Sequence, residues 1–220
     1  MDNGSSSYAV WDWPVRLIHW SLVFGIATMW WTGEEGMMDV HSKVGYALLV
    51  LVATRLVWGL VGSYHARFAN FLAGTGRIAA YLRNPQPSPG HNPLGGWSTV
   101  VLLLLVLVQA LTGLCANDDI LFEGPLAYWA GDFSAPMTEW HETNWGLLQA
   151  FIGLHLAAIA FYQFKKRQPL VQAMLRGSAP GKMSDTPPKP LWWAVLIAVV
   201  AAGVLYVVIT NAPEAPSYYY

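Results

Sequence analysis

The sequence predicts an all-α integral membrane protein, a four-helix bundle with a fifth C-terminal transmembrane helix added to it. Three observations carry the prediction. Hydrophobic residues make up 55% of the 220-residue chain and charged residues only 11%, against about 25% charged in soluble domains. Five apolar segments reach the length a helix needs to cross a bilayer, roughly 17–25 residues. Twelve Trp and ten Tyr gather near the ends of those segments, at the level where amphipathic aromatics anchor helices to the interface.

The five segments run at about residues 15–32, 44–62, 97–116, 145–164 and 191–210. The fourth is expected to extend back to about residue 139 as a less apolar first turn or two. Interfacial anchors are Trp13, Trp30 and Trp31 for the first, Tyr46 and Trp58 for the second, and Trp97 for the third. Trp145 and Tyr162 bracket the fourth, and Trp192, Trp193 and Tyr206 the fifth. The first segment ends in Trp30-Trp31-Thr32 rather than a small-residue cleavage site, so a retained helix is expected there, not a signal peptide.

Loop charge sets the direction. The connection 33–42 carries Glu34, Glu35 and Asp39 and no base, whereas 63–96 carries Arg67, Arg77 and Arg83 and no acid. The connection 117–144 holds Asp118, Asp119, Glu123, Asp132, Glu139 and Glu142 without a base. The connection 165–190 holds Lys165, Lys166, Arg167, Arg176, Lys182 and Lys189 against Asp185 alone. Bases stay cytoplasmic, which predicts a cytoplasmic N-terminus and a periplasmic C-terminus. Residues 67–83 read as one short amphipathic helix on the inner surface. Pro85, Pro87, Pro89 and Pro93 break it, and Pro187, Pro188 and Pro190 precede the fifth span. That last span has no ionisable residue and reads as an added helix; the tail 211–220 is expected to be extended.

Within this frame the histidines carry the chemistry, because ionisable groups in membrane helices are costly and usually functional. His19 falls near the inner end of the first span, and His41 at the outer start of the second. His141 falls at the outer start of the fourth, with His155 fourteen residues on. Fourteen helical residues return to within about 40° of the same face and advance roughly 21 Å. Depth therefore pairs His41 with His141 on the outer side and His19 with His155 on the inner side. Each pair could clamp one metal centre, and neutral imidazole is an axial ligand of haem iron. Structural zinc normally takes four ligands, and each level offers two. The single Cys115 excludes the C-x-x-C-H of covalent haem attachment and reads as an inert helix-end residue. The expected cofactors are thus two non-covalent haem b groups.

Gly25, Gly45, Gly113, Gly146 and Gly153 either leave room for a porphyrin or let helices approach closely. Arg16, three residues before His19, and Arg55 either pair with propionates of the inner haem or snorkel to inner headgroups. His65 and His91 lie in the basic inner loop and read as surface or headgroup-level residues.

The stretches Arg16-Leu-Ile-His19-Trp20, Val40-His41-Ser-Lys-Val-Gly45, Gly90-His91-Asn-Pro-Leu-Gly95 and Trp140-His141-Glu-Thr-Asn-Trp-Gly146, with Gly153-Leu-His155 after them, resemble the prokaryotic cytochrome b561 and nickel–iron hydrogenase b-type cytochrome superfamily. The resemblance covers about residues 10–166. It implies a four-helix haem-binding membrane bundle with two b haems, whose axial ligands map onto His19, His41, His141 and His155. It further implies electron transfer in a bacterial inner membrane between the quinone pool and a partner. That partner would be a periplasmic c-type cytochrome, a hydrogenase for which the chain is a membrane anchor subunit, or superoxide in one branch. The fifth helix and the long acidic outer loop depart from the simplest members and leave the partner open.

The expected organisation is a di-haem domain over 1–166, a cytoplasmic linker over 167–190, and the fifth helix with its periplasmic tail over 191–220. No residue reads as a catalytic acid, base or nucleophile, and nothing resembles a nucleotide loop or a nucleic-acid-binding patch. The basic inner loops are accounted for by orientation and anionic lipid.

Overall fold

The computed structural model describes residues 8–86, 88, 90–118, 122–178 and 183–213. Pro87, Pro89, Asp119, Lys182 and the tail beyond residue 213 lie outside the described residues. Among the described residues the chain is all-α apart from one short antiparallel pair, β1 (Tyr8–Ala9) with β2 (Met183–Ser184), and a single antiparallel bridge between Asn117 and Glu123. Five long helices dominate: α1 (Trp13–Glu34), α2 (Met38–Val61), α5 (Pro93–Cys115), α7 (Ser134–Ala160) and α9 (Leu191–Thr210). Short helices fill the connections, α3 (Phe68–Phe71), α4 (Thr75–Arg83), α6 (Ala127–Ala130) and α8 (Leu170–Arg176).

α1 and α9 contain their predicted spans, α2 and α5 stop one residue short of theirs, and the π-helical turn Phe161–Lys165 completes the span of α7. Among the described residues, four are long and apolar enough to cross a membrane: α2, α5, α7 with its flanks, and α9. The first helix, α1, is long enough at 22 residues but carries Arg16, His19, Glu34 and four Trp, and so is more polar. Asp12 starts it by capping, its Oδ1 accepting from the Val15 N–H at 2.9 Å ahead of Pro14, which needs no donor in the first turn. Asn92 and Pro93 repeat that signal at α5, the Asn92 Oδ1 accepting from Gly95 N–H at 2.7 Å.

The predicted single inner helix over 67–83 is two pieces. Residues Leu72 and Gly74 are extended, so α3 and α4 meet at a bend, and α4 docks by a hydrogen bond of 2.9 Å between the Tyr81 and Tyr162 hydroxyls. The fourth span begins further out than predicted, at Ser134, because the preceding loop holds it. The Ser134 hydroxyl donates to the Cys115 carbonyl at 2.8 Å, and the Thr138 hydroxyl donates to the Asn117 carbonyl at 2.9 Å. Gly124 lies against the Leu114 and Ala116 carbonyls, where a Cβ would collide with backbone.

Packing runs α1 on α2, α2 on α5 and α5 on α7, with α9 on the outside of α2. Val52, Val106 and Leu148 form the buried centre of the four-helix unit, flanked by Leu22, Ile26 and Trp145. A second core lies at the end where α1 begins, built from Val10, Trp11, Val15, Trp58, Ala66, Ala173 and Ala194. It draws the N-terminal segment, α8 and the first turn of α9 together. Trp11 N–H donates to the Gly177 carbonyl at 3.0 Å, and Gly177, at φ 87°, ends α8 in the left-handed conformation glycine favours. The remaining faces of α7 and α9 expose Leu154, Leu156, Val199 and Val204, as lipid-facing helices do.

Candidate haem-binding site

The acidic connections leave one end of the bundle and the basic ones the other. At the acidic end, α2 begins with His41 in its first turn and α7 carries His141 two turns from its start. Their imidazole centroids are 6.4 Å apart with the ring planes at 65°. A metal between two imidazole nitrogens, with bonds of about 2 Å each, holds the ring centroids roughly 6 Å apart. The structure therefore brings together the outer pair expected from depth, at a separation suited to two axial ligands.

Each ring is held from the next helix. The His41 Nδ1 lies 3.3 Å from the Thr32 hydroxyl of α1, and the His141 Nδ1 lies 3.2 Å from the Thr112 hydroxyl of α5. Neither Nε2 has a hydrogen-bond partner among the described residues. The α7 backbone at this level is clamped to α5: Gln109 donates to the His141 carbonyl at 3.0 Å. Asn144 donates to the Leu105 carbonyl at 2.9 Å and to Gln109 Oε1 at 2.6 Å.

Both histidines line a cavity of about 330 Å³, within the range of small-molecule and cofactor pockets, about 300–1,000 Å³. Its walls are mainly apolar, from Ile26, Met29, Leu48, Leu49, Val106 and Leu148, with Gly45 and Gly113 among them. Glu34, Asp118 and Glu142 stand at its acidic end. An apolar slot with two facing imidazoles fits a flat iron macrocycle. Among the described residues no group of three or more His, Cys, Asp or Glu could hold a metal ion.

The inner pair is closer to the basic end. His19 lies within electrostatic range of His155, and its Nδ1 is buried with no hydrogen-bond partner among the described residues. Gly153 and Gly146 border open space, and a Cβ on Gly45 would meet only the Met29 methyl at 3.5 Å. Gly25 and Gly113 are packed instead, against Leu48 and against the His141 ring respectively. Gly146 and Gly153 are exposed and lie roughly 160–180° round α7 from His155.

Arg16 and Arg55 sit at the basic end. Arg16 donates from Nε to the Met174 carbonyl at 3.2 Å and from a terminal nitrogen to the Leu175 carbonyl, with its guanidinium 4.4 Å above the Trp13 ring. Arg55 is 4% exposed and donates to the Ala66 carbonyl at 3.3 Å. Asp12 supplies its opposing charge and also accepts from the Trp58 indole at 2.9 Å. Neither His65 nor His91 is a bare surface group. His65 Nε2 meets the Ser184 hydroxyl at 3.1 Å, and His91 packs between the Trp11 and Phe71 rings at 4.6 and 4.3 Å. Sequence reasoning passed over Thr32, Thr112, Gln109 and Asn144. For the threonines the one available signal was the dipeptide Thr-Gly, present at residues 32–33 and 112–113 but also at 75–76, away from the site.

A membrane bundle with paired imidazoles facing an apolar slot defines a membrane-bound haem protein of the b type. The model of the prokaryotic cytochrome b561 family matches residues 10–177, and the chain belongs to that family. It is 26% identical over 215 residues to a protein of Bradyrhizobium diazoefficiens named a probable Ni/Fe-hydrogenase B-type cytochrome subunit, covering 79% of this chain and 86% of the relative. A protein of the same description from Rhizobium leguminosarum bv. viciae is 24% identical, over 78% of this chain and 88% of its own. The Escherichia coli K12 protein named a probable Ni/Fe-hydrogenase 1 B-type cytochrome subunit is 22% identical, over 80% and 92% respectively. No solved structure is significantly similar to the chain. The protein is accordingly a membrane b-type cytochrome of electron transfer, and such a cytochrome binds haem b.

Proposed function

We propose that the chain moves electrons across the bacterial inner membrane between the quinone pool and a redox partner on the periplasmic side, through two haem b groups. The observation that carries this is the facing of His41 and His141 at 6.4 Å, together with a second histidine, His155, further along the helix that carries His141 and within range of His19 on α1. His19 and His155 would hold one haem and His41 and His141 the other. Haem iron supplies reversible one-electron chemistry when bound. The protein's part is to hold the imidazoles, exclude water with the apolar wall, and fix the separation of the two levels, about 21 Å along α7. Arg16 and Arg55, at the basic end, retain donors beyond those bonded to carbonyls and would balance propionate charge there.

Loop charge supports a cytoplasmic N-terminus and a periplasmic C-terminus. The acidic end would then face the periplasm, with Glu34, Asp118 and Glu142 around the outer cavity. Complementary charge steers transient electron-transfer encounters, so the partner is expected to present a basic patch, as a c-type cytochrome can. Rapid mixing of the oxidised protein with a quinol analogue tests the quinone half: haem reduction is expected, and a spectrum that stays oxidised would overturn it.

The names of the relatives favour a second reading, a membrane subunit of a hydrogenase. Purification in mild detergent separates the two, since a stably co-purifying hydrogenase supports the subunit reading and a haem protein isolated alone supports the transient one.

A further inference from the structure

The two imidazoles at the acidic end are held by two copies of one device. Thr32 lies two residues before the end of α1 and Thr112 three before the end of α5. The Thr32 hydroxyl donates within its own helix to the Thr28 carbonyl at 2.8 Å, with the Met29 carbonyl at 3.2 Å. The Thr112 hydroxyl does the same to Val108 at 2.8 Å, with Gln109 at 3.1 Å. A hydroxyl has one proton. With that proton directed at its own helix, each threonine oxygen can only accept from the imidazole in front of it.

The distances to Nδ1, 3.3 Å for His41 and 3.2 Å for His141, are then N–H donations to an acceptor. The Met29 and Gln109 carbonyls, which likewise only accept, also face the two imidazoles. Both rings are thereby fixed as the Nδ1–H tautomer, with the Nε2 lone pair left for a metal. The residue after each threonine is glycine, and each glycine lies against the edge of the ring. A Cβ at Gly33 would stand 3.4 Å from the His41 Cε1, and one at Gly113 would stand 2.9 Å from the His141 Cε1.

We propose that Thr32-Gly33 and Thr112-Gly113 are paired positioning elements that set the tautomer and the donor strength of the two outer axial histidines. An acceptor on the far ring nitrogen raises imidazole basicity and orients the ligand. The two threonines therefore stabilise the oxidised iron and hold the outer reduction potential down. The inference rests on the reading that His41 and His141 ligate one haem.

Potentiometric titration of the intact protein in detergent, followed in the visible α-band and by electron paramagnetic resonance of the oxidised form, tests it. Thr32→Val and Thr112→Val are each expected to raise one of the two midpoint potentials and alter one of the two low-spin signals, leaving the other unchanged and the haem content intact. Thr112→Ser, which keeps the hydroxyl, is expected to restore the wild-type potential. Unchanged potentials and signals in both valine variants would overturn the proposal, as would a serine variant shifted as far as the valine one. Wild-type protein lacking a haem that depends on His141 would overturn the ligand reading itself, a result distinct from either.

Discussion

His41 and His141 face one another because each sits near the start of its helix at the same end of the bundle. His155 can share α7 with His141 because fourteen residues nearly close four turns. Substitution follows directly. His41→Ala and His141→Ala should each remove the same haem and halve the haem b content per chain, and His19→Ala and His155→Ala should remove the other, as a pyridine haemochrome assay would show. Loss of different haems by His41→Ala and His141→Ala would refute the pairing. The facing of His41 and His141 was legible in the sequence, because depth and helical spacing are properties of one chain segment at a time. Thr32 and Thr112 were not. Threonines that bond back onto their own helix are common, and only the tertiary approach of α1 to α2 and of α5 to α7 shows where the second lone pair of each hydroxyl points.

Asp12 was also unread. Alone in the sequence it is an ordinary cap; in the structure it joins the start of α1, the Trp58 indole and the charge of Arg55 in one buried cluster. Leaving a buried donor unsatisfied costs about 1–3 kcal/mol, and Asp12→Ala strands both the Val15 N–H and the Trp58 indole, so it should lower the thermal unfolding midpoint in detergent. An Asp12→Asn variant, which keeps the cap acceptor but not the charge, should fall between the two.

The long helices were the most legible elements, since span length and aromatic ends are local signals. Their extensions were not, because Ser134 and Thr138 lengthen α7 through bonds to the end of α5 rather than through apolarity. The bend between α3 and α4 was missed because Gly74, one glycine in an amphipathic pattern, reads as a tolerated defect. Open space beside Gly153 gives a test at this scale. Gly153 lies roughly 160° round α7 from His155, so Gly153→Leu should leave the haem content per chain unchanged in a pyridine haemochrome assay while the helix gains propensity. Loss of one haem would show that this side of α7 faces the cofactor.

The β1–β2 pair ties the basic-end connection to the N-terminal segment, and the His65–Ser184 bond ties it to the short helical turn after α2. Burial holds the His65 pKa below its ordinary value, and Asp185 pulls the other way. The folded pKa is lower than the unfolded one, so His65 contributes stability above about pH 6.5 that is lost as pH falls through the folded value. Amide exchange around Met183 and Ser184 should therefore accelerate on acidification in the wild type relative to His65→Asn at the same pH. Equal profiles for the two proteins would show that His65 does not carry the tether's pH dependence.

Charge is partitioned over the whole molecule, with acids at the end that holds the His41–His141 cavity and bases at the other. If the acidic end receives a basic redox partner, the bimolecular rate of electron exchange should fall steeply as salt rises from about 10 to 150 mM, where the screening length drops from roughly 30 to 8 Å. Charge-neutral variants such as Glu142→Gln should flatten that dependence in stopped-flow measurements with a basic c-type cytochrome. A rate insensitive to salt would favour a permanently bound partner such as a hydrogenase.

If each pair of histidines holds a haem b, the purified protein carries two per chain, and a reduced-minus-oxidised spectrum with haem counted per chain reads this directly. A b-type signal with two non-covalent haems per chain is expected. A single haem, or no b-type signal at all, would refute the two-haem arrangement.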